Sequence, residues 1–232
     1  GVKDDVLVYK LGDDDYLMVC NASNRQKLIE HFDAVRGVDV FAFEDLTMKS
    51  GMIAVQGPRV MEIIGKDSSS IPQLKRYRFK RIDVMGVDIM VSRTGYTGED
   101  GVEVIVRTDS MAAKLALKLF LGDLDKQAPV IQPAGLGARD SLRLEAAMAL
   151  YGHEITEDID PLSAGLDFAI KIDKGSDAGR FIGQDVLERI AEEGPMRKLV
   201  GIEVDSRRAA RQGMNVLIGD DSVGIVTSGC LL

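Results

Sequence analysis

The sequence predicts an α+β protein. Three observations point there. Strand-like and helix-like segments are interspersed without a regular βαβ repeat, hairpin signals recur, and the tail from Arg197 carries strand patterns with no helix between them. Taken in order, "VLVYKL" (6–11) alternates as a strand, "GDDD" turns the chain and "YLMVC" (16–20) returns. "NASNRQKLIEHFDAVRG" predicts a helix, with Ser23 or Asn24 as N-cap, an apolar stripe of Leu28, Ile29, Phe32 and Val35, and Gly37 as the stop. "VDVFAF" (38–43) and "GMIAVQG" (51–57) predict strands. "PRVMEIIG" predicts a short helix with Pro58 in its first turn and Gly65 at its end. "RYRFKRIDVMGVDIMVSR" predicts a hairpin turned at Met85-Gly86, followed by a strand over 102–106. Helices are expected at 109–122, 135–150 and 183–194, a strand at "LDFAIKI" (166–172), and further strands at "RKLVGIEV" (197–204), "MNVLIGD" (214–220) and "SVGIVTSG" (222–229). Gly194-Pro195 marks a domain boundary.

Bulk composition excludes several functions. The chain has 232 residues, 45% hydrophobic and 28% charged, which is ordinary for a globular protein of one or two domains. A formal net charge of −8 argues against a nucleic-acid surface, because phosphate binding wants a basic face. No run is long and apolar enough for a membrane helix, and no targeting leader is visible, so no membrane partner is expected. The two cysteines, Cys20 and Cys230, cannot build a disulfide framework and point to a reducing compartment. With two scattered histidines beside them, no metal site is expected. The chain opens inside a strand with no initiator Met and closes on an apolar pair after a turn, so both ends read as cut from a longer protein.

One stretch does not behave like a plain hairpin. "SRTGYTGEDGVEVIV" (92–106) carries two turn signals, Thr94-Gly95 and Gly98-Glu99-Asp100-Gly101, with Tyr96 between them and Glu103 on the strand that follows. Glu99 and Asp100 read as turn formers. "GLGARD" lacks the spacing of a dinucleotide or phosphate-binding loop. Taken alone, Glu103 is as readily an exposed strand residue, Arg139 a structural ion pair with Asp140 or Glu145, each tyrosine a core filler, and Asp4-Asp5 a solvated strand end.

Several segments together change that balance. "GVKDDVLVYKLGDDDYLMVCNASN", "IAVQGP", "SRTGYTGEDGVEV", "PAGLGARDSLRLEAAMALYGHEI", "RKLVGIEV" and "VGIVTSG" resemble, in the same order and over nearly the whole chain, the T-protein family of the glycine cleavage system. The resemblance implies interleaved α+β folate-binding domains in a ring with a C-terminal all-β, barrel-like domain, here truncated at both ends. Residues 1–45 and 152–193 would belong to one folate-binding domain, 46–151 to the second, and 194–232 would begin the β domain. It implies a tetrahydrofolate-dependent aminomethyltransferase, with tetrahydrofolate as acceptor and a lipoylated H-protein as partner and donor. The expected location is the cytoplasm, or the mitochondrial matrix in a eukaryote. The rival readings are a non-catalytic folate-binding relative in regulation or RNA modification, and a folate-dependent demethylase with another donor.

The resemblance also assigns residues. The catalytic aspartate lies in the Asp4-Asp5 pair. Asp5 is chosen because strand alternation puts it on the same face as Tyr9, with Asp4 as the alternative. Its implied role is to polarise a folate nitrogen and stabilise developing positive charge. Glu103 matches the pterin-binding glutamate, since one carboxylate can accept from both the exocyclic amine and the adjacent ring N–H. Tyr9, Tyr77, Tyr96 and Tyr151 match aromatic positions of the folate site, where flat rings suit a flat heterocycle. Arg139 matches a ligand-binding cation, and Asn21 a polar neighbour of the folate.

Overall fold

The computed structural model describes residues 1–37, 41–65, 70–84, 86–107, 131–173 and 179–231. The expected helix at 109–122 and the start of the expected strand at 38–43 lie outside them. The chain divides into two compact units. One is Gly1–Phe41 with Ala149–Leu232, and the other is Ala42–Met148. The chain therefore leaves the first unit, builds the second and returns.

The second unit is built on a four-stranded antiparallel sheet. Its strands are β3 (Ser50–Gln56), β4 (Phe79–Val84), β5 (Val87–Ser92) and β6 (Gly101–Arg107), in the order β3-β6-β5-β4. β6 has a neighbour along both edges, which accounts for its near-continuous burial. Alternation then sorts the side chains. Val55, Val91, Val102 and Val104 form one core with Ile71 and with Val60 of the short helix α2 (Val60–Gly65), packed by Ile53, Met61, Ile64, Ile82, Ile89 and Ile131. The odd member of β6, Glu103, is turned the other way, between Ala54 on β3 and Ser92 on β5. The unit ends in α3 (Leu136–Glu145), shorter than the expected 135–150. Arg143 closes it: its side chain is 1% exposed, pairs with Asp140 and donates to the Met148 carbonyl.

The first unit holds a hairpin of β1 (Leu7–Lys10) and β2 (Tyr16–Val19), a 3₁₀ turn at Ala22–Asn24 and α1 (Arg25–Val35). Later it adds α4 (Gln184–Glu193) and a second hairpin, β7 (Asn215–Ile218) and β8 (Asp221–Ile225). The N-terminus is tied to the returning chain by bonds from the Val2 amide to the Thr156 and Ile159 carbonyls. Two expectations fail here. The stretch 166–172 is no strand: Asp167–Ala169 is a 3₁₀ turn, because the Ala169 and Ile170 amides bond back to Leu166 and Asp167. The segment 197–204 is no strand either. Its backbone bonds among the described residues run from the Leu199 amide to the Ser163 carbonyl and from the Ser206 amide to the Val204 carbonyl, and neither belongs to a strand ladder.

The sheet core makes a direct prediction. Ile71 is 1% exposed against Val55, Val60, Val91, Val102 and Val104. Ile71→Ala should cost about 2–5 kcal/mol in urea unfolding, through lost burial and the cavity left behind.

Candidate functional site

The two-turn stretch of the sequence is organised by Gln56 at the end of β3. Its Nε2 donates to the carbonyls of Thr94 (3.1 Å) and Val102 (3.2 Å), and its Oε1 accepts from the Thr97 hydroxyl. The amide thus fills the space beneath the loop. A Cβ at Gly101 would lie 2.5 Å from the Val55 carbonyl oxygen and 2.6 Å from the Gln56 amide, and one at Gly95 would strike the same amide. Both glycines are required by close approach. Arg93 closes the loop from outside. It holds Asp100 through Nε (3.0 Å) and Nη2 (2.5 Å), and its Nη1 donates to the Pro72 and Leu74 carbonyls. The Arg93 bond outweighs desolvation and keeps the Asp100 carboxyl below its ordinary range. Asp100 is therefore an ion-pair partner as well as a turn former.

This loop covers Glu103. The side chain is 5% exposed, and its Oε2 accepts from Thr94 Oγ1 at 2.5 Å, with Ser92 Oγ 3.0 Å further along. Among the described residues no lysine or arginine pairs with it. The exposed-strand alternative is thereby overturned. Among the described residues Arg139 makes no ion pair with Asp140 or Glu145, and Asp140 is held by Arg143. Arg139 instead lays its guanidinium 4.9 Å from the centre of the Tyr96 ring, and both side chains reach the surface around the loop. Tyr77 is 72% exposed and sits at φ +57°, a left-handed backbone that a bulky residue adopts only at a cost. Its amide is fixed to the Arg93 carbonyl, so the loop's own clamp holds it there.

In the first unit the acid pair separates. Asp4 accepts from the Asn21 amide N–H (3.0 Å), Asn21 Nδ2 (2.8 Å) and Asn24 Nδ2 (2.6 Å). Asn24 stands at the helix start but makes no side-chain cap. Asp5 lies at the surface, and its carboxylate makes no hydrogen bond among the described residues. Nearby protein still strips water from it, and that desolvation, with the charge of Asp4, raises its pKa. Asn21, expected beside a ligand, spends its side-chain N–H groups on Asp4 and the Asp5 carbonyl. Tyr9 is buried, at 7% exposure. Tyr151 is half-buried and accepts or shares a proton with Lys27 Nζ at 2.5 Å, with the ammonium 4.4 Å from its ring centre. Desolvation works against the Lys27 charge, but the bonds to Tyr151 and Glu157 outweigh it and raise its pKa.

The structure thus gathers Glu103, Tyr96, Arg139 and Tyr77 in one unit and Asp5, Tyr9, Asn21 and Tyr151 in the other. Sequence reading missed Gln56, Arg93, Thr94, Asn24 and Lys27. Only Gln56 had a signal, because the strand pairing puts it opposite Gly101, where a side chain would clash.

The family model described as the GCVT N-terminal domain matches residues 1–174. The chain belongs to this family. It is 44% identical to an aminomethyltransferase of Symbiobacterium thermophilum, over 98% of this chain and 61% of that protein. It is 42% identical to an aminomethyltransferase of Oceanobacillus iheyensis, over 99% and 62%. It therefore spans about three-fifths of these relatives' length. The crystal structure of the glycine cleavage system aminomethyltransferase T from Bartonella henselae superposes with a TM-score of 0.81 at 28% identity, over 98% of this chain and 60% of that one. This supports the mixed α+β architecture read from the sequence. No helix among the described residues is long and apolar enough to cross a membrane.

The loop clamp is testable by pH. Asp100→Asn should cost about 1–2 kcal/mol at pH 7, less than a fully buried pair because both partners are partly exposed. A carboxyl with a lowered folded-state pKa stabilises above its unfolded pKa, about 3.9, and loses that contribution as pH falls through the folded value. The gap between Asp100→Asn and the parent in chemical unfolding should therefore close only below the ordinary carboxylate range.

Proposed function

We propose that this chain carries the folate-dependent aminomethyltransferase activity of glycine cleavage. It takes an aminomethyl group from the lipoyl arm of an H-protein and transfers its carbon to tetrahydrofolate, in a cytoplasmic, reducing setting. The bond balance is simple. The carbon leaves sulfur and nitrogen and ends bridging N5 and N10 as 5,10-methylenetetrahydrofolate, while the two displaced N–H protons end on the lipoyl thiol and on ammonia. No oxidant is needed. Kinship with proteins named aminomethyltransferase supports this reading.

The observation that carries it is Glu103. A buried carboxylate is expensive unless hydrogen bonds or charge compensate it, and here its partner is the Thr94 hydroxyl, which is bonded in turn to the Ser92 hydroxyl. A pterin edge offers the adjacent pair of N–H donors such a group lacks. Tyr96, stiffened by Arg139, supplies an aromatic face at the loop, and the strained, exposed Tyr77 supplies a second. Asp5 is available to hold a proton or oppose positive charge at a reacting nitrogen, and its raised pKa suits proton exchange. In the unit of Asp5, Tyr9, Tyr151 and Asn21 are the proposed binding residues: Tyr151 as a ring fixed by Lys27, Tyr9 as a buried aromatic, and Asn21 through its amide oxygen, since its N–H groups are used within the fold.

The two acids should separate in kinetics. In the full-length enzyme, with aminomethylated H-protein and tetrahydrofolate, Asp5→Asn should lower ammonia release by ~10²–10⁴-fold while folate affinity stays within about threefold. Glu103→Ala should weaken folate binding by roughly 10–100-fold in calorimetric titration. Folate binding without any ammonia release from the parent enzyme would favour a non-catalytic relative instead.

A further inference from the structure

The acid pair at the start of the chain contains a device that the assignment of Asp5 leaves unexplained. β1 begins its ladder only at Leu7, paired with Val19. Extending that register would place Asp5 opposite Asn21, yet no ladder forms there. Side-chain bonds replace it. Both Asp4 oxygens are occupied, Oδ2 by the Asn21 amide N–H and Oδ1 by Asn21 Nδ2 and Asn24 Nδ2. Asn21 Nδ2 also reaches the Asp5 carbonyl at 3.3 Å. Asn24 is 5% exposed, so its bond to Asp4 is shielded from water. A strand end that would otherwise fray is pinned on both sides of the Asp5 Cα.

We propose that Asp4, Asn21 and Asn24 form a positioning clamp that fixes the backbone of Asp5, and with it the Cα–Cβ bond that carries its carboxylate toward the reacting nitrogen. Asp4 is then a positioning residue, with every oxygen committed to the fold, and Asp5 is the one with oxygens left for substrate. The clamp rests on the proposed role of Asp5. It also explains why two acids stand together. Among the described residues Asp4 is the charged group that acts on Asp5, and its negative charge disfavours ionisation of its neighbour. Geometry matters at this scale, because a misplacement of about 1 Å can cost ~100-fold in rate.

The test compares Asp4→Asn, Asn24→Ala and Asp5→Asn in the full-length enzyme, by ammonia release, tetrahydrofolate titration and pH–rate profile. The clamp predicts that Asp4→Asn and Asn24→Ala each lower kcat by ~10–100-fold, with folate affinity within about threefold. Asp4→Asn should also move the acid limb of the profile to lower pH, because a negative neighbour of Asp5 has gone. Unchanged kcat in these variants, or kcat and affinity falling together with an unmoved acid limb, overturns the clamp. Full turnover by Asp5→Asn would instead overturn the role of Asp5, whereas an inactive Asp5→Asn beside an unaffected Asp4→Asn overturns the clamp alone. If circular dichroism shows Asp4→Asn to be unfolded, Asn24→Ser decides by the same split of kcat against affinity.

Discussion

A carboxylate inside a β-sheet sets the terms for everything around it. Glu103 sits on a strand flanked on both sides and is 5% exposed, beside the loop that joins β5 to β6. The chain answers with a small polar shell rather than a cation: Thr94 and Ser92 hydroxyls in a row, under a loop pinned by Gln56 from below and by the Arg93–Asp100 pair from outside. Each piece depends on the carboxylate's placement. The glycine at 101 leaves room for the Val55 carbonyl and the Gln56 amide, the one at 95 for the same amide, and Tyr96 is carried by this loop. Such a shell meets part of the carboxylate's demand for donors and leaves capacity for a ligand that brings more.

The other unit solves the opposite problem. The role proposed for Asp5 requires a carboxylate that stays reachable and is carried on a fixed backbone. A surface carboxylate moves among staggered rotamers, so the fixed anchor has to come from the backbone that carries it. Asp4 supplies it by giving up its own oxygens to Asn21 and Asn24. Neighbouring acids thereby sit in different environments, one bonded into the fold and one at the surface with a raised pKa, as the proposed division of tasks between them requires.

The sequence was most readable where one local rule decided the outcome. The hairpins 79–92 and 7–19, the short helix at 60–65 and the helix at 184–193 all follow from period and turn chemistry. It was misleading where a pattern needed a distant partner. Residues 166–172 and 197–204 alternate like strands, but alternation describes a face and supplies no neighbour to bond with. Among the proposed site residues, Glu103, Tyr96 and Asp5 were legible through the family resemblance, with strand alternation deciding only between Asp5 and Asp4. Arg93, Lys27 and Asn24 were not, because each acts through residues far along the chain, such as Tyr151 for Lys27. Asn24 even carries a helix-cap signature that its bond to Asp4 overrides.

The account turns on whether the Glu103 carboxylate is a ligand group. A crystal of the full-length enzyme soaked with a reduced folate would decide it. The expected map shows the pterin's amino group and ring N–H within hydrogen-bonding distance of the Glu103 oxygens, with Thr94 still in place. Folate bound elsewhere, with Glu103 satisfied by Thr94 and ordered water alone, would contradict the account.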